Sequence, residues 1–194
     1  MLQMRKFSIT IEPATRFSWG KQIPACESRK DYKKHEEENW KGRAHIVDGV
    51  VSIPSVAFKQ ALVEAAKYDG RVIPGAGKKT YTKLFERAVQ VTSTYTSTGK
   101  NEDALTEEWL FVSSDGKKGS ASRSGKVWKK FPILEADGTW TATFELTVCD
   151  QRLTKELVKE FSTIAGFFIG LGRWRPENGG SNGMFSIKEV KVSK

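Results

Sequence analysis

Residues 140–192 read WTATFELTVCDQRLTKELVKEFSTIAGFFIGLGRWRPENGGSNGMFSIKEVKV. Trp140, Ala142, Phe144, Leu146 and Val148 alternate with polar residues, the period of a half-buried strand. Leu153, Leu157, Val158, Phe161 and Ile164 then recur at helical spacing, which predicts a helix over 154–164. A glycine-rich stretch fills 166–183, and Phe185 and Ile187 in period two predict a last strand over 184–192. Strand, helix, glycine loop and strand in that order form one half of an α+β unit.

The other half is upstream. Phe7, Ile9 and Ile11 share one face of a strand over 5–11, which Pro13 stops. Residues 14–29 read as loop, and 30–41 as a short polar helix anchored by Trp40. Residues 44–53 read as two short strands around Asp48-Gly49, a hairpin turn signal. Ile53-Pro54-Ser55 opens a helix carrying Ala57, Phe58, Ala61, Leu62, Ala65 and Ala66, which Asp69-Gly70 ends. Residues 84–96 read as β-rich, with Val89, Val91 and Tyr95 in period two, and 109–112 as a further strand. The sum is a βαββαβ order, ferredoxin-like or RNA-recognition-type. One domain over 1–194 is expected, with insertions near 14–45 and 97–135.

Composition narrows the function. The longest apolar run, 165–172, is far short of the roughly 20 residues of a membrane span. The first ten residues alternate and do not form a secretory leader, so a cytoplasmic protein is expected, without a membrane partner. Cys26 and Cys149 stand too far apart for a CxxC zinc site, and no cofactor or metal is expected. Lys and Arg exceed Asp and Glu by nine, which points to a polyanionic partner.

The positive charge is concentrated. Residues 113–131 carry Lys117, Lys118, Arg123, Lys126, Lys129 and Lys130 against Asp115 alone. Residues 71–87 carry Arg71, Lys78, Lys79, Lys83 and Arg87 against Glu86. Both stretches are rich in Gly, Ser or Thr. They read either as soluble surface loops or as flexible arms that release counterions from a phosphate backbone. The mixed charges of 28–43 read as a solvated helical face. Gly75-Ala-Gly-Lys-Lys-Thr80 fails phosphate-loop spacing, because position 72 is valine, and reads as a basic turn.

The glycine stretch is the strongest signal. Six glycines in 18 residues surround Arg173, Trp174 and Arg175. Glycine allows close approach to a ligand, arginine forks onto phosphate, and tryptophan stacks on a base. The alternative is a floppy loop in which Trp174 packs onto the core. Lys59, early in an apolar helix, either snorkels to solvent or aims at a phosphate. His35 and His45 fall in different elements, and no GxSxG, HExxH or paired-carboxylate motif is present.

Two of these segments resemble a known family. Ile53-Pro-Ser-Val-Ala-Phe-Lys-Gln-Ala-Leu62 is similar to the IPGSSLKGALR-type segment of the CRISPR RAMP superfamily. The run from Ala165 to Phe185 resembles that family's C-terminal glycine-rich loop, and the two occur in the same order. The resemblance is nearest to the Cascade-type backbone subunit that coats a guide RNA. Val56-Ala57 and Gln60 depart from its usual small residues, and RPENGG enlarges the loop. The resemblance implies a modified RNA-recognition fold, with the basic segment 113–131 in the place of the family's thumb hairpin. It implies guide contacts from Lys59, Arg173 and Arg175.

The expectation is a non-enzymatic subunit that binds single-stranded guide RNA and self-associates into a filament with other CRISPR-complex subunits, with target DNA or RNA as a further partner. Its nucleic-acid contacts would be Lys59, Lys78, Lys79, Lys117, Lys118, Arg123, Lys126, Lys129, Lys130, Arg173, Trp174 and Arg175. A phage or mobile-element protein of the same fold, binding single-stranded DNA or blocking CRISPR assembly, is the alternative. A histidine-based endoribonuclease through His35 or His45 is a third.

Overall fold

A computed structural model of the chain describes residues 4–26, 31–113 and 125–193. The alternating segments pair as their patterns require. β1 (Arg5–Pro13) lies antiparallel between β10 (Phe185–Ser193) and β9 (Ala142–Val148). Phe7, Ile9 and Ile11 face Leu146, Phe144 and Ala142 across the β1–β9 ladder. All six are buried. The short strand β5 (Val89–Val91) adds to β9, so the central sheet runs β10-β1-β9-β5, antiparallel throughout. Taken along the chain, and leaving the flanking strands aside, β1 is followed by three α-helices, β5, β9, one α-helix and β10.

Two helices cover this sheet. α2 (Ser55–Asp69) buries Phe58, Ala61, Leu62, Ala65 and Ala66, one stripe of the expected helix. Phe58 stacks on Phe144 of β9 at 4.4 Å and tilts against Phe185 of β10 at 5.8 Å. Truncating such a ring to alanine costs about 3–5 kcal/mol. Gly70, at φ 67°, ends α2 in the left-handed conformation. α4 (Lys155–Ile164) is capped by the Thr154 hydroxyl, which accepts from Leu157 N–H. It buries Val158 and Phe161, then runs on as a π-helical turn over Ala165–Ile169.

Two small sheets flank this body. β3 (His45–Val47) and β4 (Val50–Pro54) make the hairpin expected at Asp48-Gly49, both in left-handed backbone, and β6 (Tyr95–Asn101) joins β4. The other sheet runs β2-β8-β7. It contains β2 (Phe17–Ser18), β7 (Thr106–Ser113) and β8 (Lys126–Leu134). β7 and β8 pair without a slip from Thr106 opposite Ile133 to Ser113 opposite Lys126, the described stem of the basic segment.

Three expectations change. The β-rich stretch 84–96 opens instead as α3 (Tyr81–Ala88), because Tyr81, Leu84, Phe85 and Ala88 are buried at helical spacing against Phe161 and its neighbours. Within that stretch Val89–Val91 forms β5, and Tyr95 and Thr96 open a further strand. The polar segment near 28–43 does contain α1 (Tyr32–Asn39), with Lys33 and Lys34 ion-paired to Glu37 and Glu38 in solvent. Its inner side is not solvated: Glu36 is buried and holds Arg43, also buried, at 2.7 and 2.9 Å, and it accepts the Lys130 backbone N–H. In β10 the period of two breaks, because the pairing with β1 slips between Thr10 and Ile11; Val190 then faces inward in place of Glu189.

Candidate nucleic-acid interface

The glycine-rich loop is a packed structure. A Cβ on Gly180 would collide with the Trp174 carbonyl, and one on Gly183 with the Leu171 carbonyl. The loop is bound into the body: Arg173 N–H donates to the Ser18 carbonyl, Asn182 N–H to Trp174, and Gly183 N–H to Arg16. Asn182 is buried and its Oδ1 accepts from Arg16, which also pairs with Glu108 of β7 at 2.9 Å. These contacts hold Trp174 at φ 57°, a left-handed conformation rare for a bulky residue. The alternative of a floppy loop with Trp174 in the core is therefore corrected: Trp174 stays 40% exposed.

That geometry places Arg173. Its guanidinium lies 3.7 Å over the Phe131 ring of β8 and 5.3 Å from the Trp174 ring. Arg43 sits over the same Phe131 ring at 5.0 Å. Arg43 is neutralised by Glu36. The Arg173 Nε is buried and has no hydrogen-bond partner. Burial, with Arg43 close by, pushes the Arg173 guanidinium down to about 10. It remains charged at neutral pH.

Around this stack opens a groove of about 1190 Å³. Its cationic lining is Lys21, Arg43, Lys129, Arg173 and Arg175, joined by His45; among the described residues no carboxylate lines it. Arg175 is held by Glu177 at 2.6 Å. Burial and the nearby Lys21 charge hold the His45 imidazole below its ordinary range. Pro54 and Ala57, from the first motif, and Gly172 to Arg175, from the second, line the same groove. The two segments that carried the family resemblance thus meet in space.

The expected contacts divide. Lys129, Arg173, Trp174 and Arg175 come together in the groove. Lys59 lies elsewhere on α2, in a concavity of about 330 Å³ with Val56, Gln60, Val63, Glu64 and Glu86. Lys78 and Lys79 belong to the turn between α2 and α3 and do not line the groove. Lys126 starts β8, opposite Ser113 at the groove's margin. Lys130 is buried: it pairs with Glu107 at 2.5 Å and lies between the rings of Trp40 and Trp109. Its ammonium is a packing element. Lys117, Lys118 and Arg123 lie outside the described residues. Lys21, Arg43, His45 and Phe131 were not among the expected contacts. They come from three distant segments, and only the alternation of β8, which sets Phe131 on the face of Lys129, hinted at one of them.

No protein-family model matches the sequence, and no curated protein does. Solved structures match the fold. One is a chain of the type III-B Cmr-beta complex bound to cognate target RNA, 15% identical with a TM-score of 0.54, over 100% of this chain. This chain spans 62% of the length of that one. Another is Cmr6 from Pyrococcus furiosus, 12% identical with a TM-score of 0.51, covering 96% of this chain and 100% of that one. The fold resembles that of the CRISPR RAMP subunits. Both of these matches are Cmr chains, the first from a type III-B complex, whereas the sequence motifs stood nearest to Cascade-type subunits. Among the described residues no helix is long and apolar enough to cross a membrane.

Proposed function

We propose that this chain is a non-catalytic RNA-binding subunit of a CRISPR-type ribonucleoprotein, and that its groove holds single-stranded RNA. The carrying observation is a groove lined by Lys21, Arg43, Lys129, Arg173 and Arg175 with no carboxylate among its described lining residues, at whose centre the buried Arg173 Nε has no hydrogen-bond partner among the described residues. Arg173 contacts a phosphate, and the neighbouring Trp174 ring stacks on a base. The strand order β10-β1-β9-β5, with its two helical crossovers, is read as a ferredoxin-like frame that sets this groove at one end of α2. The matched Cmr-beta chain comes from a complex bound to target RNA, which supports the choice of RNA. Copies associate head to tail along the strand, as the Cascade-type resemblance implies, and meet other subunits at its ends.

Fluorescence anisotropy with a labelled single-stranded RNA over a salt series tests the reading. Arg173→Ala with Arg175→Ala should weaken binding about 10- to 100-fold, and flatten the salt slope by roughly 0.7 per lost phosphate contact. Unchanged affinity and slope would overturn the groove assignment.

A further inference from the structure

The groove has a second wall, and none of the expected contacts lies on it. β3, β4 and β6 form a small sheet whose two faces differ. Val51, Ile53, Thr96 and Thr98 share the buried face. On the other face stand His45 of β3, Ser52 and Pro54 of β4, and Tyr95 of β6: His45 pairs with Ser52, and Tyr95 with Pro54. The His45 and Tyr95 rings meet across β4, where the short Ser52 side chain leaves room, with centroids 5.5 Å apart at 41°. His45 and Pro54 line the groove, and Tyr95 stands next to Pro54 with 40% of its surface exposed, as much as Trp174.

Tyr95 is held from behind. Ser55, fully buried at the start of α2, donates its N–H to the Thr94 carbonyl at 3.0 Å and shares a hydroxyl–hydroxyl hydrogen bond with Thr96 at 2.8 Å. The residues on both sides of Tyr95 are thereby tied to α2, and the β4–β6 ladder fixes Tyr95 itself. A ring on such a base is in place before a ligand arrives, so little freedom is lost on binding.

We propose that the His45–Tyr95 pair is a base-stacking platform, separate from Trp174, so that the groove takes two bases of one single strand. The proposal rests on the RNA reading above and deepens it. The surroundings choose the occupant. Lys21 stands close to His45 in the same lining, and its N–H is bonded to the Arg43 carbonyl. A flat ligand on these rings therefore has cations beside it, and among the described residues no carboxylate lines the groove to oppose its negative charge. A nucleotide of a strand combines a flat ring with a phosphate. Trp174, between Arg173 and Arg175, repeats the same pairing of an aromatic face with cations on the glycine loop.

The test compares binding of an oligoadenylate with that of an abasic strand of the same length, which keeps the phosphates and lacks the bases. Wild type should bind the oligoadenylate more tightly. Tyr95→Leu should weaken oligoadenylate binding roughly 5- to 100-fold, the range of one lost base stack, with the salt slope unchanged. Its affinity for the abasic strand should stay within about twofold, which also shows that the variant is folded. Tyr95→Phe keeps the ring and should match wild type on both strands. Tyr95→Leu combined with Trp174→Leu should multiply the two single losses, as two bases on independent platforms require. Equal losses on both strands, or none on either, overturn the platform and leave the RNA reading in place. A double variant no weaker than the worse single one means a shared base and overturns it too. A wild type that binds both strands alike removes base stacking and keeps a phosphate groove, whereas one that binds neither removes the RNA reading itself.

Discussion

The glycine loop at 166–183 and the β7–β8 hairpin share a vocabulary of glycine, cations and tryptophan, and use it in opposite ways. In the loop the glycines admit carbonyls where a Cβ would collide, and the resulting tight fold leaves a tryptophan exposed beside a half-buried arginine. In the hairpin a regular ladder carries the side chains, and one of its lysines, Lys130, is consumed in packing between Trp40 and Trp109. Composition marks both as basic and flexible. Only the backbone decides which cations remain available to a ligand.

The largest expected effect tests that contrast directly. Gly180→Ala and Gly183→Ala should each destabilise the fold by about 3 kcal/mol or more, since backbone must move to admit the methyl group. Gly125→Ala at the foot of β8, where a Cβ meets open space, should stay within about 0.5 kcal/mol. Chemical denaturation of the three variants checks this, and equal losses would erase the distinction. Next, Lys130→Ala should cost about 1–2 kcal/mol through lost packing and cation–π contact, with RNA affinity unchanged. Arg173→Ala should do the reverse: stability within about 1 kcal/mol of wild type and RNA affinity down about tenfold.

A smaller effect lies in pH. The folded, RNA-free chain holds His45 below its ordinary range, so its neutral form is favoured. The unfolded chain binds that proton more readily, and this contribution to stability is present above about pH 6.5 and lost as pH falls through the folded value. RNA phosphates in the groove favour the imidazolium instead, so binding takes up a proton and tightens as the pH is lowered over the same range. Thermal melts and anisotropy from pH 8 to 5.5 should therefore move in opposite directions, and His45→Asn should flatten both trends. The smallest effect is expected at Lys59. Lys59→Ala should leave RNA affinity within about twofold, because its concavity is separate from the groove.

Much of the frame is legible in the residues because its signals are local. Asp48-Gly49 sits between two apolar runs and turns the chain there; Gly70 follows the last apolar position of α2 and ends it. Helix α3 escaped because Val89, Val91 and Tyr95 display a strand period immediately after it, and the two periods overlap in one window. The Glu36–Arg43 pair escaped for a different reason. Charge in a sequence reads as solvent-facing, and its burial depends on β8 laying the Lys130 N–H against the carboxylate, 94 residues away. The site divides in the same manner. Arg173, Trp174 and Arg175 announce themselves by their glycine setting, whereas Lys21, Arg43, His45 and Phe131 reach the groove only through tertiary pairing.

The place of β1 in the central sheet has a consequence for biosynthesis. β1 is made first, yet its two neighbours are β9 and β10, which leave the ribosome more than a hundred residues later. Until then its backbone donors and acceptors on both sides are unpaired, in a strand whose Phe7, Ile9 and Ile11 are apolar. The nascent chain therefore carries a sticky ribbon until β9 and β10 emerge, and the sheet closes in a step governed by long-range pairing. Trigger-type holding chaperones should engage this segment, and ribosome-stalled chains lacking residues 185–193 should remain protease-sensitive at residues 5–13.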